Sequence, residues 1–239
     1  MTPFMKLADI GLFARSAASD ARVRAAWTSG SAANVFDSLY ANAPENDPWA
    51  SGSPAFLYQR RKYESVAALI PQGRYRRALD LGCGAGLFSK RLTDIADEVV
   101  GVDVSSVAVG IAISRAKDVP NLHFARGDVL ELPSSWDGSF DLITILDTLY
   151  YLPPPIEDGL LKALASRLAR LLSPKGLLVL ANHYFSGLDS DSRLTRRIHD
   201  AFRWSPALHA LGSHRRPFYL VSLLRGCAAA PRALDTFPA

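Results

Sequence analysis

ALDLGCGAGLFS, residues 78–89, is the stretch that decides the fold. Its apolar opening reads as a buried strand, its glycines at 82, 84 and 86 as a turn, and its continuation as the start of a helix. Glycines at alternate positions let the backbone take φ values that a side chain forbids, so a ligand can lie against bare peptide. A helix starting at Gly86 also aims its first N–H groups at an anionic part of that ligand. The pattern reads as a nucleotide-binding loop. It departs from the dinucleotide spacing G-x-G-x-x-G, because position 87 is Leu and the third glycine comes one residue early.

Downstream, Glu98-Val99-Val100-Gly101-Val102 is a short apolar strand ending in Asp103, and Ser105-Ser106 open the next helix. Asp103 lies roughly 20 residues beyond the first glycine, the reach expected of a carboxylate that accepts both hydroxyls of a ribose. A third strand over 122–126 delivers Gly127-Asp128-Val129 and sets Asp128 beside the same pocket. Strands are expected near 77–81, 98–103, 122–126, 140–146 and 176–182, with helices near 86–96, 105–117 and 156–172. Such alternation predicts an α/β fold, a parallel sheet covered on both faces by right-handed crossovers. Leu160, Leu161, Leu164, Leu168, Leu171 and Leu172 form a stripe at helical spacing that belongs on the sheet.

From Ala78 to Asn182 the chain resembles the class I S-adenosylmethionine-dependent methyltransferases. The glycine turn, Asp103, Asp128, the strand opening Phe140-Asp141-Leu142-Ile143 and the turn Leu172-Ser173-Pro174-Lys175-Gly176-Leu177 carry the likeness by standing in the family's order. Asp47-Pro48-Trp49, the helix-like Tyr58-Gln59-Arg60-Arg61-Lys62-Tyr63 and Leu149-Tyr150-Tyr151-Leu152 are similar to the branch that includes the nodulation N-methyltransferases acting on amino sugars. The resemblance implies a doubly wound, mostly parallel seven-stranded sheet with an antiparallel last strand, near 217–224, paired with a strand near 208–213. S-adenosyl-L-methionine is the cofactor it implies. Gly82, Gly84 and Gly86 would then contact the methionine and ribose portions, with Cys83 a small side chain in the tight loop rather than a reactive thiol. Asp80 would orient the methionyl amine, directly or through water. Asp103 would hold the ribose diol, Val104 would lie against the adenine, Asp128 would accept from its exocyclic amine and Val129 would offer a backbone N–H. Asp147 is counted both with this cofactor-binding set and on the acceptor side.

At 239 residues and 49% apolar content the chain can bury one sizeable core, with no allowance for two full domains. The expected division is a helical and loop extension over 1–54 acting as a lid, a methyltransferase domain over 55–226 and a flexible tail over 227–239. Within the extension a helix is expected near 21–39 and an ordered loop or hinge over 42–54, before a helix over 55–69 leads into the first strand. Two cysteines make neither a disulfide framework nor a metal cluster, and a reducing cytoplasm is the default compartment. No segment reaches the roughly 18 to 20 uninterrupted apolar residues that span a bilayer. The histidines lack metal-ligand spacing, and no metal is expected. A net charge of +4 gives little push toward a polyanion, although Arg193, Arg196, Arg197, Arg203, Arg215 and Arg216 gather near a helix expected over 191–203.

Ligands of open α/β sheets lie outside the carboxyl ends of the strands. That rule nominates Asp147, Tyr150, Tyr151, His183 and Tyr184, together with Arg61, Lys62 and Tyr63, for the acceptor side. Tyr150, Tyr151 and His183 are the catalytic candidates, with at most one of the two tyrosines expected to face the methyl group. The expected reaction is in-line methyl transfer to a nitrogen or oxygen of a small molecule, by a monomer or homodimer without a nucleic-acid or membrane partner. The alternatives are an RNA methyltransferase docking through the arginines, a nicotinamide oxidoreductase on the related fold, and a binding module without turnover.

Overall fold

The computed structural model describes residues 6–7, 9–27 and 31–227. The expected tail over 227–239 lies, apart from Cys227, outside them. Seven strands, β1 (Tyr75–Leu81), β2 (Ala96–Asp103), β3 (Leu122–Arg126), β4 (Phe140–Leu146), β5 (Leu172–His183), β6 (Leu208–Arg216) and β7 (Tyr219–Gly226), form one sheet in the order β3-β2-β1-β4-β5-β7-β6. β3 through β5 run parallel, whereas β7 is antiparallel to both of its neighbours, β5 and β6. Strand order reverses between β1 and β4, so their carboxyl ends open a crevice.

Seven α-helices accompany the sheet among the described residues: α1 (Asp9–Ala26), α2 (Ala32–Asn42), α3 (Leu57–Ala67), α4 (Leu87–Leu92), α5 (Ser106–Arg115), α6 (Asp158–Leu171) and α7 (Ser190–Arg203). One face of the sheet packs Leu79, Ile143, Leu178 and Leu180 against Leu161, Leu164 and Leu168 of α6 and Ile198 and Phe202 of α7. The other packs Ala78, Val99, Leu142 and Val179 against Val66 of α3 and Phe88 and Leu92 of α4. The central strands are buried on both sides, which is why they read as continuous apolar runs rather than alternations.

Three expectations are corrected. The helix expected over 86–96 stops at Leu92, because Ala96 is drawn into β2 by pairing with Tyr75, and the amide of Tyr75 donates to the Ile95 carbonyl at 2.9 Å. The turn expected over 172–177 is a bulge inside β5, with Leu172 opposite Phe140 and the register resuming at Leu142 opposite Leu177. The single helix expected near 21–39 is two. Ser31 caps the second by accepting from the Asn34 amide, and the first begins as early as Asp9. α1 escapes notice in the sequence because polar anchors hold it as much as an apolar stripe does. Ser19 donates to the Pro48 carbonyl at 2.6 Å, Arg15 reaches the Pro44 carbonyl at 2.6 Å, and the buried Asp9 accepts from the amides of Leu57 at 3.0 Å and Tyr58 at 3.2 Å.

Asp9 thus caps α3, whose own N-cap residue, Phe56, supplies no side-chain acceptor. Asp9→Ala should strand those two amides and lower the unfolding free energy by about 2 kcal/mol. A urea midpoint equal to that of the wild type would contradict this account.

Candidate active site

β1 ends in the glycine turn, and the turn is held by its own neighbours. The amides of Gly82 and Cys83 donate to the Val102 carbonyl at 2.8 and 3.1 Å, tying the loop to β2. Gly82 and Gly84 have φ of 69° and 51°, in the left-handed region that favours glycine. A Cβ on Gly84 would lie 2.6 Å from the Tyr40 hydroxyl, and one on Gly82 would collide with Thr148. The bare peptide expected to face a ligand is therefore also the space that Tyr40 and Thr148 need.

Asp103, 9% exposed, closes the turn from the end of β2. Its Oδ2 accepts from the Gly84 amide at 2.8 Å and its Oδ1 from the Ser105 amide at 2.9 Å. Burial raises its carboxyl above the ordinary value, and these two hydrogen bonds oppose the rise. Ser105 caps α5 through the Ala108 amide at 3.1 Å and donates to Asp37 of α2 at 2.7 Å. Asp37 also accepts from Ser106 at 2.9 Å and from the Val107 amide at 3.2 Å. α2 is in this way fastened over the turn, with Phe36 and Tyr40, one helical turn apart, reaching the cavity.

One cavity of about 180 Å³ runs along these strand ends. Gly82, Cys83, Gly84, Asp103, Val104, Asp128 and Val129 line one part of it, and Asp147, Tyr150, Tyr151 and His183 line the other. Asp80 and Gly86 are not on its wall. Asp80 lies beneath the loop, accepting from Ser89 at 2.6 Å and Thr144 at 2.8 Å, and burial pushes its carboxyl up to about 6. Asp128 accepts from the Leu130 amide at 2.9 Å, as a turn residue does. Arg61 and Tyr184 do not line the cavity, and the Tyr184 hydroxyl instead accepts from Arg196 at 2.6 Å.

At the acceptor end Lys62, 3% exposed, is ion-paired with Asp147 through Oδ2, while Oδ1 of the same carboxylate is buried without a hydrogen-bond partner. Asp147 takes a φ of 54°, a conformation Asp tolerates better than most residues, so the chain leaving β4 turns sharply. Tyr150 and Tyr151 both line the cavity, their ring centroids 4.3 Å apart. The tight 3-10 turn Leu149–Tyr151 accounts for this: it buries Leu149 in the core and leaves the two rings side by side at 56°. Burial holds both phenols far above their usual range, so neither accepts a proton at neutral pH. The imidazole of His183 is shifted the other way, below its ordinary value, first by burial and then by Lys62.

Sequence reasoning missed Asp20 of α1. Its Oδ1 accepts from Trp49 Nε1 at 2.8 Å and from the Tyr151 hydroxyl, and it lines the same cavity. A lone acid in an alanine-rich segment carries no signal of this. Phe36 and Tyr40 did leave one, their i, i+4 spacing. Among the described residues no group of His, Cys, Asp and Glu is arranged to hold a metal ion, and no helix is long and apolar enough to cross a membrane.

The residues on the cofactor side suit an adenosyl amino acid. Each Asp103 oxygen keeps a lone pair beyond its amide bond for a sugar hydroxyl.

Residues 78–176 match the methyltransferase domain family. The chain is 28% identical to Nodulation protein S of Sinorhizobium fredii over 67% of its own length and 69% of that protein's. It is 35% identical to trans-aconitate 2-methyltransferase of Deinococcus radiodurans over 49% of this chain, spanning 43% of that one. In structure it is similar to the N-methyltransferase NodS from Bradyrhizobium japonicum in complex with S-adenosyl-L-homocysteine, with a TM-score of 0.66, 22% identity and coverage of 81% of this chain and 97% of that one.

Replacing Asp80 tests the buried acid beneath the loop. A carboxyl raised to about 6 when folded binds more protons than the unfolded chain between about pH 4 and 6, so its contribution to stability is present at low pH and is lost as pH rises through that window. The loss is roughly 3 kcal/mol for a shift of this size. Asp80→Asn should remove that dependence and unfold at a higher temperature than the wild type at pH 8. Parallel melting-temperature profiles of the two proteins from pH 4 to 8 would refute it.

Proposed function

We propose that this chain, a class I S-adenosylmethionine-dependent methyltransferase, moves its methyl group to a nitrogen of a small-molecule acceptor. One observation carries the reading: a single cavity joins the Asp103 carboxylate and glycine turn to a chamber of aromatic rings and titratable groups. The bound S-adenosyl-L-methionine supplies a methyl carbon already activated by its sulfonium.

The chain's residues divide the remaining work. Asp103 would hold the ribose diol, Val104, Asp128 and Val129 the adenine, and Asp147 would face the methionyl portion. Asp80 and Gly86 act from behind the wall, by fixing the loop and the start of α4. α1, α2 and the segment from Pro44 to Pro54 form a lid that excludes water, and the reaction then needs mainly alignment of the acceptor. Of the three catalytic candidates, His183 is the one able to take a proton at neutral pH, since its imidazole is held neutral while both phenols stay protonated. Tyr150 and Tyr151 serve as walls and hydrogen-bond donors.

Nitrogen is favoured over oxygen by two things. The first is the similarity to a nodulation protein and an N-methyltransferase. The second is the charge of the lining, where Asp20, Asp47, Asp103, Asp128 and Asp147 face a single cation, Lys62. An RNA acceptor has less support because three arginines of the carboxy-terminal third already have partners on the protein's own surface. Arg197 pairs with Asp158 at 2.6 Å, Arg196 bonds Tyr184, and Arg203 lies over Trp204 at 5.2 Å. Cys83 and Cys227 are both free thiols, in keeping with the reducing cytoplasm the proposal assumes.

Titration calorimetry should show S-adenosylhomocysteine binding to the wild type and a loss of about 100-fold in Asp103→Ala, the cost of two charge-assisted hydrogen bonds. Absence of heat with the wild type would sink the reading. With a library of primary amines and matched alcohols, S-adenosylhomocysteine release should be confined to the amines. For the best of them the rate should fall as pH drops through the lowered His183 value, below about 6.5, because protonation removes the acceptor. A rate unaltered in His183→Gln would exclude that role.

A further inference from the structure

We propose that Asp20 is the specificity-determining residue of the acceptor chamber, its free carboxylate oxygen receiving the ammonium of a primary amine carried on an aromatic or similarly flat apolar group. The inference rests on the methyltransferase reading and goes further, by naming the charge and shape in which the acceptor is bound, before its ammonium gives a proton to His183 and the freed lone pair attacks the methyl carbon.

Asp20 reaches the chamber from α1 and is fixed there by two donors on different elements, Trp49 Nε1 at 2.8 Å and the Tyr151 hydroxyl. Both converge on Oδ1. Oδ2 accepts no hydrogen bond among the described residues and is not among the buried atoms lacking a partner, so it retains access to the cavity that Asp20 lines. A carboxylate that served only to bind α1 to the segment around Trp49 would have no need of a second, open oxygen.

The charges around it leave one negative charge to be matched. Asp147 and His183 are near enough to act on Asp20 electrostatically. Lys62 is committed to Asp147, and the imidazole of His183 is held toward its neutral form. Asp20 is therefore left without a paired cation beside Tyr151 and His183, and an ammonium is the ligand group that supplies one. Burial raises its carboxyl above the ordinary value, the direction expected of an acid with no cation paired to it.

The walls specify the rest of the ligand. Trp49 lies 5.7 Å from Tyr151, 6.4 Å from Phe36 and 5.7 Å from Tyr40, and Phe36 lies 5.7 Å from Tyr151, ring centroid to ring centroid. Electron-rich faces around a carboxylate attract a cation and bury a flat apolar body beside it. An anionic acceptor, such as a carboxylic acid, would meet repulsion from Asp20.

The test uses 2-phenylethylamine and its neutral counterpart 2-phenylethanol, titrated by calorimetry into the protein saturated with S-adenosylhomocysteine. Wild type should bind the ammonium about tenfold or more tightly than the alcohol, the worth of one charge-assisted contact. Asp20→Asn keeps an Oδ1 acceptor for Trp49 and Tyr151, so the lid stays closed while the charge is lost. This variant should bring the two probes within about twofold of each other and leave S-adenosylhomocysteine affinity unchanged. Equal affinity for the probes in the wild type, failure of 2-phenylethylamine to bind, or a preference that survives in Asp20→Asn would each overturn the proposal. Failure of the cofactor reading is separable, because it appears as missing S-adenosylhomocysteine heat in the wild type before any probe is added.

Discussion

The whole site hangs on one bridging carboxylate. Asp103 ties the amide of Gly84 to the amide of Ser105, so a single side chain fixes both the glycine turn after β1 and the start of α5 after β2. A flexible turn of three glycines has high conformational entropy to lose, and without a fixed acceptor its amides would not stay in one arrangement. Asp37 then continues the chain of contacts from Ser105 to α2, which brings Tyr40 down onto the turn. The glycine turn, Asp103 and α2 are in this way parts of one hydrogen-bonded unit.

Buried acids dominate the electrostatics around that unit. Asp80, Asp103 and Asp20 all have carboxyls raised by burial, and each is held by hydroxyl, amide or indole donors rather than by a basic side chain. Neutral donors offset only part of the cost of desolvating an anion. The remainder leaves these sites short of positive charge, in keeping with the cationic ligand groups proposed above for the cavity that Asp103 and Asp20 line. Lys62 is the exception. Its full burial is tolerable because Asp147 and the Tyr219 ring, 5.3 Å away, surround the ammonium.

Much of the α/β core was legible beforehand, for a physical reason. β3 and β4 fall on their expected spans; β4, buried on both faces, is a nearly unbroken apolar run, whereas β3 is an edge strand with mostly accessible residues, bounded by the turn residues Asn121 and Gly127. The boundaries that slipped, α4 at Leu92 and β5 at Leu172, are ones where cross-strand pairing outbids local helix or turn preference. Asp103, Val104, Asp128 and Val129 line the cavity because strand ends in such a sheet converge there. Asp80 stands beside that line of residues in sequence but beneath it in space, since successive side chains of a strand point to opposite faces.

By itself, then, the amino-acid order determined the order of strands and helices, the glycine turn and the acid that follows it, because these are local patterns enforced by backbone sterics and by burial. Only the tertiary structure decided what closes the cavity and what charge the acceptor meets. Asp20, Tyr40, Trp49 and Lys62 come from segments 20 or more residues apart from the strand ends they join, and Asp20 and Tyr151 are separated by 131 positions. Hydrogen bonds and ion pairs over such separations leave no periodicity in the chain, so they become visible only once the sheet has brought their ends together.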